Sequence, residues 1–359
     1  MRLRRTRLVP ALAVAAVLTV PLAGCGTSSA GPDSATEGTV TILGYAGVFQ
    51  DNYEKAVIEP FQKANPKIKV TFRPAQNSAE MLATLRSEKS NPSNDVAIMD
   101  TSVSATGNKE GIFAPLDPKA VPNVADVTEQ GKTPKNFGPA VTYDNLVLLY
   151  DTTKVKPAPT SWDALWDPKH KGKIGIPAAP DIQGLALTMI VCKMEGADYQ
   201  KTIDPAVERL SQLSGAVQTW DPQPDPYSLV TSGSATVAVG WNARGQLYAD
   251  TSKGKLGVAL PSEGSVFQVN TINLTKNSKH PKAAQAFMDY ALSPKAQESF
   301  TETMFYAPTN SKAKVPAAAA DRTATSPERQ KEMISVDWNW IAERRDAWTE
   351  EWRRKVIGG

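Results

Sequence analysis

Apolar residues alternate between short runs and helical stripes along most of the chain. Thr39-Val40-Thr41-Ile42-Leu43 predicts a first strand that ends at Gly44-Tyr45-Ala46-Gly47. Phe49, Tyr53, Val57, Phe61 and Ala64 then recur at helical spacing, which predicts an amphipathic helix stopped by Asn65-Pro66. Ile68–Phe72 alternates as a strand, Ala79–Ser87 reads as a helix capped by Ser78, and Asp95–Asp100 reads as a third strand opening into a polar loop, Thr101–Asn108. Further strands are expected at Leu146–Tyr150, Ile174–Ile176, Thr236–Gly240, Val258–Leu260 and Val269–Leu274. Helices are expected near Trp162–Trp166, Gly184–Glu195, Pro205–Leu213, Gln246–Asp250 and Pro281–Leu292. Strands alternating with helices predict an α/β fold with a mixed, mostly parallel sheet covered on both faces. At the C-terminus Ser326 and Pro327 signpost one long helix, with Trp338, Ile341, Arg345, Trp348, Trp352 and Val356 three or four apart along a core-facing side.

The N-terminus departs from this pattern. Four arginines (Arg2, Arg4, Arg5, Arg7) precede an apolar stretch, Leu8 to Val20, which is shorter than the roughly 20 residues a membrane-spanning helix needs. Small residues then lead to a cysteine, and Leu22-Ala23-Gly24-Cys25 resembles a bacterial lipobox. The expectation is a signal peptide over 1–24, lipidation of Cys25, and a flexible Gly/Ser/Ala/Thr tether over 25–38. The protein is then exported and lipid-anchored to the outer face of the cytoplasmic membrane.

Removing the 24-residue leader from 359 leaves 335 residues, enough for two lobes. The leader holds four of the 40 basic residues and none of the 37 acidic ones, so the remainder is close to neutral. It has no basic run to suggest a nucleic-acid partner. With Cys25 lipidated, Cys192 stands alone in the run Leu187–Cys192 and reads as a small buried hydrophobe. The only histidines, His170 and His280, lie in lysine- and proline-flanked segments that read as surface. No zinc spacing, Walker loop, dinucleotide fingerprint or nucleophile elbow is present, so no metal, cofactor or catalytic residue is expected.

Ser161-Trp162-Asp163-Ala164-Leu165-Trp166-Asp167-Pro168-Lys169-His170-Lys171-Gly172-Lys173-Ile174 is the sharpest internal motif. In it Thr160 is expected to cap a short helix, with Asp163 answering. The segment resembles the S-W-x-D-L-x-x-P-x-x-K-G-K-I stretch of substrate-binding lipoproteins of ABC importers, in the spermidine/putrescine and ferric-iron branch. Val239-Gly240-Trp241-Asn242 and Phe305-Tyr306-Ala307-Pro308-Thr309-Asn310 resemble that family's cleft-facing turn and last crossover. The resemblance implies two α/β lobes joined by crossovers near Ala140, Val269 and Pro308: 39–139 with 270–308, and 140–269 with 309–359. It implies a monomer that hands a small solute to a permease and ATPase complex and has no catalytic role.

The residues expected at the ligand are Gly44, Tyr45 and Gly47 after the first strand, Asp100, Thr101 and Ser102 after the third, Asp181, Trp241, Arg244, Asn270 and Tyr306. Each also has a structural reading: tight turns for the glycines, helix caps for Asp100 and Asp181, packing for Trp241 and Tyr306, and surface for Arg244. Asn270 stands where the polyamine branch carries an acid, and no Tyr-Tyr pair is present for ferric iron. Arg244 beside Trp241 suits a solute with both an amine and an acid, such as an amino acid or aminophosphonate. Two other readings stay open: an exported carboxylate-dependent polysaccharide hydrolase or lyase, and a solute-binding fold reused as a sensor.

Overall fold

The computed structural model describes residues 33–358. The leader, Cys25 and the tether up to residue 32 lie outside the described residues.

Ten strands form one mixed sheet. In chain order they are β1 (Gly38–Tyr45), β2 (Ile68–Ala75), β3 (Val96–Asp100), β4 (Phe113–Ala114), β5 (Ala140–Asp151), β6 (Ile174–Gly175), β7 (Val217–Thr219), β8 (Val237–Trp241), β9 (Leu256–Ala259) and β10 (Phe267–Thr275). The spatial order is β2-β1-β3-β10-β5-β8-β6-β7, with β4 on β10 and β9 on β5. Parallel pairing is confined to the two ends, β1 with β2 and β3, and β6 with β7 and β8. The middle is antiparallel because β5 and β10 run between the ends and change partners on the way. β5 pairs with β10 over Ala140–Asn145 and with β8 over Leu146–Tyr150. β10 pairs with β5 over Phe267–Thr271 and with β3 over Asn270–Leu274. A third segment joins them where Tyr143 and Ala307 exchange backbone hydrogen bonds of 3.1 and 2.8 Å.

Two large apolar cores flank this junction. The first gathers Val40, Ile42, Phe61, Val96, Ile98, Ile272, Phe287 and Phe300. The second gathers Leu146, Leu148, Trp162, Ile190, Val237 and Trp352. Its helix Ile182–Met194 is apolar on all sides and buried along Gly184–Cys192, as a helix enclosed by protein must be. Cys192 is buried there, and burial pushes its thiol up to about 12.

Several local expectations are corrected. The segment after β3 is a helix, Thr101–Lys109, not a loop, because Asp100 caps it by accepting the Ser102 N–H at 2.9 Å. The cap of the Ser78–Ser87 helix is Asn77, which frees the Ser78 hydroxyl for other contacts. Ser161, not Thr160, caps the short helix of the tryptophan-rich motif, and Asp163 pairs with Arg209 instead of returning to the cap. His170 is buried, its Nδ1 3.0 Å from the Thr236 hydroxyl. The C-terminal helix is broken. Ser326 caps Pro327–Glu332, the chain extends at Met333, and Asp337 caps a new helix, Trp338–Ala342, by accepting the N–H groups of Asn339 and Trp340. The spacing still put Trp338, Ile341, Trp348, Trp352 and Val356 into one core.

Candidate functional site

The crossover strands have two faces, and alternation sorts their side chains. Asn270 lies opposite Thr142, and Gln268 opposite Asp144, so these four share one face. Asn270 is buried and donates from Nδ2 to the Thr142 hydroxyl at 3.0 Å. Its Oδ1 accepts the Tyr45 hydroxyl from the end of β1 at 3.0 Å. The same phenol lies 2.7 Å from Ser78 Oγ, which also accepts the Asp100 N–H at 3.0 Å. One network thus fixes Tyr45, Ser78, Asp100, Asn270 and Thr142. Asn270 has both amide atoms engaged within it.

Aromatic packing continues this face. Phe49 contacts Tyr45 edge-on at 5.4 Å and Tyr306 at 5.9 Å, and Tyr306 stacks on Phe300 at 5.4 Å. Burial raises the Tyr45 and Tyr306 phenols far above their ordinary range, so both stay neutral hydrogen-bonding groups.

Asp144 is the residue that sequence reasoning missed. It is 2 % exposed, and its Oδ1 accepts the N–H of Asn145 at 2.8 Å and of Ala243 at 3.0 Å. It therefore holds the start of the Asn242–Thr251 helix, which carries Arg244. Burial pushes its carboxyl up to about 7, against the pull of those N–H groups and the Arg244 charge. Arg244 is exposed, and its charge reaches Asp144, Tyr227 and Tyr306. The available signal was an acid in the mostly apolar Ala140–Tyr150 run, whose other polar residues are Thr142 and Asn145. Trp241, just before the helix, is half-exposed, with its backbone N–H and C=O both tied to the Tyr227 hydroxyl, at 2.9 and 3.2 Å.

A second cluster is acidic. Asp100 and Asp181 cap the helices Thr101–Lys109 and Ile182–Met194. Burial raises the Asp100 carboxyl, although the Ser102 hydroxyl and N–H favour its ionised form. Asp181 is reached by solvent yet hemmed in by protein, which raises its pKa, and Asp221 adds to the rise. Arg345 is the cation whose charge lowers both, and its Nε and Nη2 donate to the Pro180 carbonyl at 3.1 and 2.7 Å. This arginine, too, was missed, because the sequence pattern assigned it to a core-facing helix. Tyr45, which feels the Asp100 charge, links the two clusters.

The remaining expected residues lie at the margins. Gly44 is buried, and a Cβ there would meet the Phe72 ring at 2.6 Å. Gly47 takes φ 70° at the start of the Val48–Tyr53 helix. Ser102 turns both its N–H and its hydroxyl onto Asp100. Thr101 lines a separate cavity on the other face of the crossover strands. Among the described residues no cluster of histidine, cysteine or acidic side chains could hold a metal ion, and no helix is long and apolar enough to cross a membrane.

A family model described as bacterial extracellular solute-binding protein matches residues 56–337. Over 322 residues the chain is 24 % identical to the gamma-aminobutyric acid-binding protein of Pseudomonas aeruginosa, covering 87 % of this chain and 89 % of that one. It is 23 % identical over 280 residues to the spermidine/putrescine-binding periplasmic protein of Escherichia coli, covering 74 % and 78 %. Among solved structures it is similar to an ABC transporter protein from Clostridium perfringens, with TM-score 0.72 and 25 % identity over 88 % of this chain and 99 % of that one. An ABC transporter substrate-binding protein from Bradyrhizobium japonicum superposes with TM-score 0.75 at 18 % identity, covering 87 % and 99 %.

Proposed function

The chain belongs to the bacterial extracellular solute-binding proteins and is the solute-capturing component of an ABC importer; we propose that its solute carries an amine at one end and an acid at the other. The observation that carries this reading is the charge layout of the site face. Arg244 acts on Asp144 and Tyr306, while Arg345 acts on Asp100 and on Asp181, which also feels Asp221. An ammonium group suits the acidic cluster, while a carboxylate or phosphonate suits the Arg244 fork. The Pseudomonas relative is named for γ-aminobutyric acid, which has both ends. The Escherichia coli relative is named for polyamines, which have only cations, and here the position expected to bear an acid is Asn270, whose amide atoms are already engaged.

The first lobe is residues 39–139 with 270–308, the second 140–269 with 309–359, and β5, β10 and the stretch around Pro308 form the hinge. Solute binds one lobe and the other closes over it, so contacts to both exist only in the closed form. Moving a population from 1:99 to 99:1 needs about 5.5 kcal/mol of differential binding. A few charge-assisted hydrogen bonds at roughly 1.5–3 kcal/mol each supply it. The solute leaves chemically unchanged, a monomer delivers it to the permease and ATPase, and a lipid on Cys25 keeps the protein at the outer face of the membrane.

A thermal-shift panel of 4-aminobutyrate, small amino acids, aminophosphonates, putrescine, spermidine and thiamine tests the reading. At 100 times its dissociation constant the true solute adds about 2.7 kcal/mol of stability. The expected result is a shift with a zwitterion, weakened about 10- to 100-fold in affinity by Arg244→Ala. A shift with polyamines alone, or full affinity for an acidic solute in the Arg244→Ala variant, overturns it.

A further inference from the structure

The end of the first core opposite the site is basic. β1, β2 and β3 run parallel, so all three start at that end, and antiparallel β10 finishes there. Tyr45 and Asp100 close β1 and β3 at the other end. Helices returning from the site finish at this base with Lys63, Arg86 and Lys109 in their last turns, cations that suit helix C-termini. The neighbouring loops and strand ends add Lys67, Lys89, Lys276 and Lys279, and all seven side chains are exposed. Four acids share the base, Asp33, Glu37, Glu88 and Glu110, and Arg73 and Arg86 engage the last two. Among the described residues the lysine ion pairs lie elsewhere, and none involves these six lysines. Arg86, Lys89 and Lys276 line a hollow of about 410 Å³ between the loop before β3 and the loop after β10. Three cations around one hollow suit a phosphate group.

The chain enters the fold at the same base. The Gly38 N–H donates to the Lys67 carbonyl at 3.0 Å, and the Lys282 N–H donates to the Asp33 carboxylate at 3.0 Å. Eight residues (33 − 25) lead from Cys25 to Asp33, a reach of at most about 29 Å. A lipid on Cys25 therefore keeps the base near the bilayer. Anionic headgroups attract clustered lysines within a Debye length, about 10 Å at 0.1 M salt. Charge alone does not select this base, because Lys156, Lys171 and Lys173 are exposed at the far end of the second core. The attachment point selects it. We propose that the base of the first core is a membrane-docking surface: it settles on anionic lipid headgroups and turns the Tyr45 and Asp100 ends of its strands toward the solution from which solute arrives. The inference rests on the Cys25 anchor proposed above and is independent of which solute binds.

The test couples the mature chain through the Cys25 thiol to a maleimide-bearing phospholipid in vesicles; Cys192 is buried and does not compete. All the tryptophans lie in or against the second core, so energy transfer from them to dansyl-labelled phosphatidylethanolamine reports how near that core comes to the bilayer. On vesicles of equal parts phosphatidylglycerol and phosphatidylcholine, the transfer is expected to fall below its value on phosphatidylcholine alone, because the base is held down and the second core stands away. Charge reversal at the base, Lys67→Glu with Lys276→Glu and Lys279→Glu, should remove that difference. Reversal at the far end, Lys156→Glu with Lys171→Glu and Lys173→Glu, should preserve it. Equal transfer on the two kinds of vesicle, or equal effects of the two reversals, overturns the proposal. In the wild type, salt at about 1 M shortens the Debye length to about 3 Å and should abolish the difference. That arm decides the matter should the base variant fail to fold, since a difference that persists in salt also overturns the proposal. Because the coupling is chemical, the result holds whether or not a cell lipidates Cys25, which the intact mass of the membrane-extracted protein decides separately.

Discussion

At the residue scale the informative group is Asp144, a carboxyl whose acidity is set by where the fold places it. Its folded pKa of about 7 lies above the ordinary aspartate value because burial disfavours the charge more than two N–H donors and Arg244 favour it. Between roughly pH 4 and 7 the folded protein therefore binds a proton there that the unfolded chain has lost, and stability falls as pH rises through that window, then levels off. At 1.36 kcal/mol per unit this contribution is roughly 4 kcal/mol across the window. Asp144→Asn keeps an acceptor for the Asn145 and Ala243 N–H groups but cannot ionise, so its stability is expected to lose this slope. Urea midpoints measured at pH 4.5 and 7.5 check it: the wild type should weaken relative to the variant at the higher pH, and parallel behaviour sinks the assignment. Residue types near a strand end were legible in the sequence, since Tyr45, Asp100 and Arg244 came from such positions, while Tyr306 came from the crossover that follows the Pro294–Met304 helix. What remained hidden was depth. Whether Asn270 faces solute or a tyrosine hydroxyl depends on partners 225 and 128 residues away in the chain.

At the element scale the strand and helix order could be read because hydrophobic period and caps are local. Breaks were harder, since they depend on distant partners. The C-terminal segment has helical spacing throughout, yet residues 333–337 are pulled straight by bonds to the hinge edge at Ser265 and by Tyr199. The loop beneath it is shaped to receive it. Gly264 has φ 90°, and a Cβ there would lie 1.9 Å from the Glu332 carbonyl oxygen. Its own carbonyl accepts the Trp162 indole N–H at 2.8 Å. Gly264→Ala combines a left-handed backbone with a clash against main chain, and is expected to cost about 2–4 kcal/mol. Urea unfolding measures the cost, and faster amide exchange over 333–337 locates it. A loss below about 0.5 kcal/mol, the range of ordinary surface changes, would show that this segment does not rest on the glycine. Gly44→Ala is a milder case. The flexible Phe72 ring is the obstacle, so a loss of about 1–3 kcal/mol is expected from the same unfolding measurement.

At the scale of the whole molecule the two cores share a sheet but divide their aromatic residues unequally. All eight tryptophans lie in or against the second core, while the first is built with phenylalanine and tyrosine. Tryptophan fluorescence therefore reports one body, whereas far-ultraviolet circular dichroism reports both. Trp352 is fully buried in the second core, and its indole N–H donates to the Thr188 hydroxyl at 2.8 Å. Trp352→Ala leaves a cavity and removes the donor to the Thr188 hydroxyl, which keeps its own bond to the Gly184 carbonyl at 2.9 Å, a loss of about 3–5 kcal/mol confined to that body. The crossover strands are the main joint between the cores, so the first core should outlast the second once this side chain is gone. In the variant the fluorescence midpoint in urea is then expected to fall below the dichroism midpoint, with amide exchange along Val96–Met99 in the first core still slow where fluorescence is already lost. Coincident midpoints would mean that the joint transmits the damage and the molecule unfolds as one unit. A binding protein hinged at that joint needs bodies that hold their own shape while the angle between them changes. Separate melting of the two is the stability counterpart of that requirement.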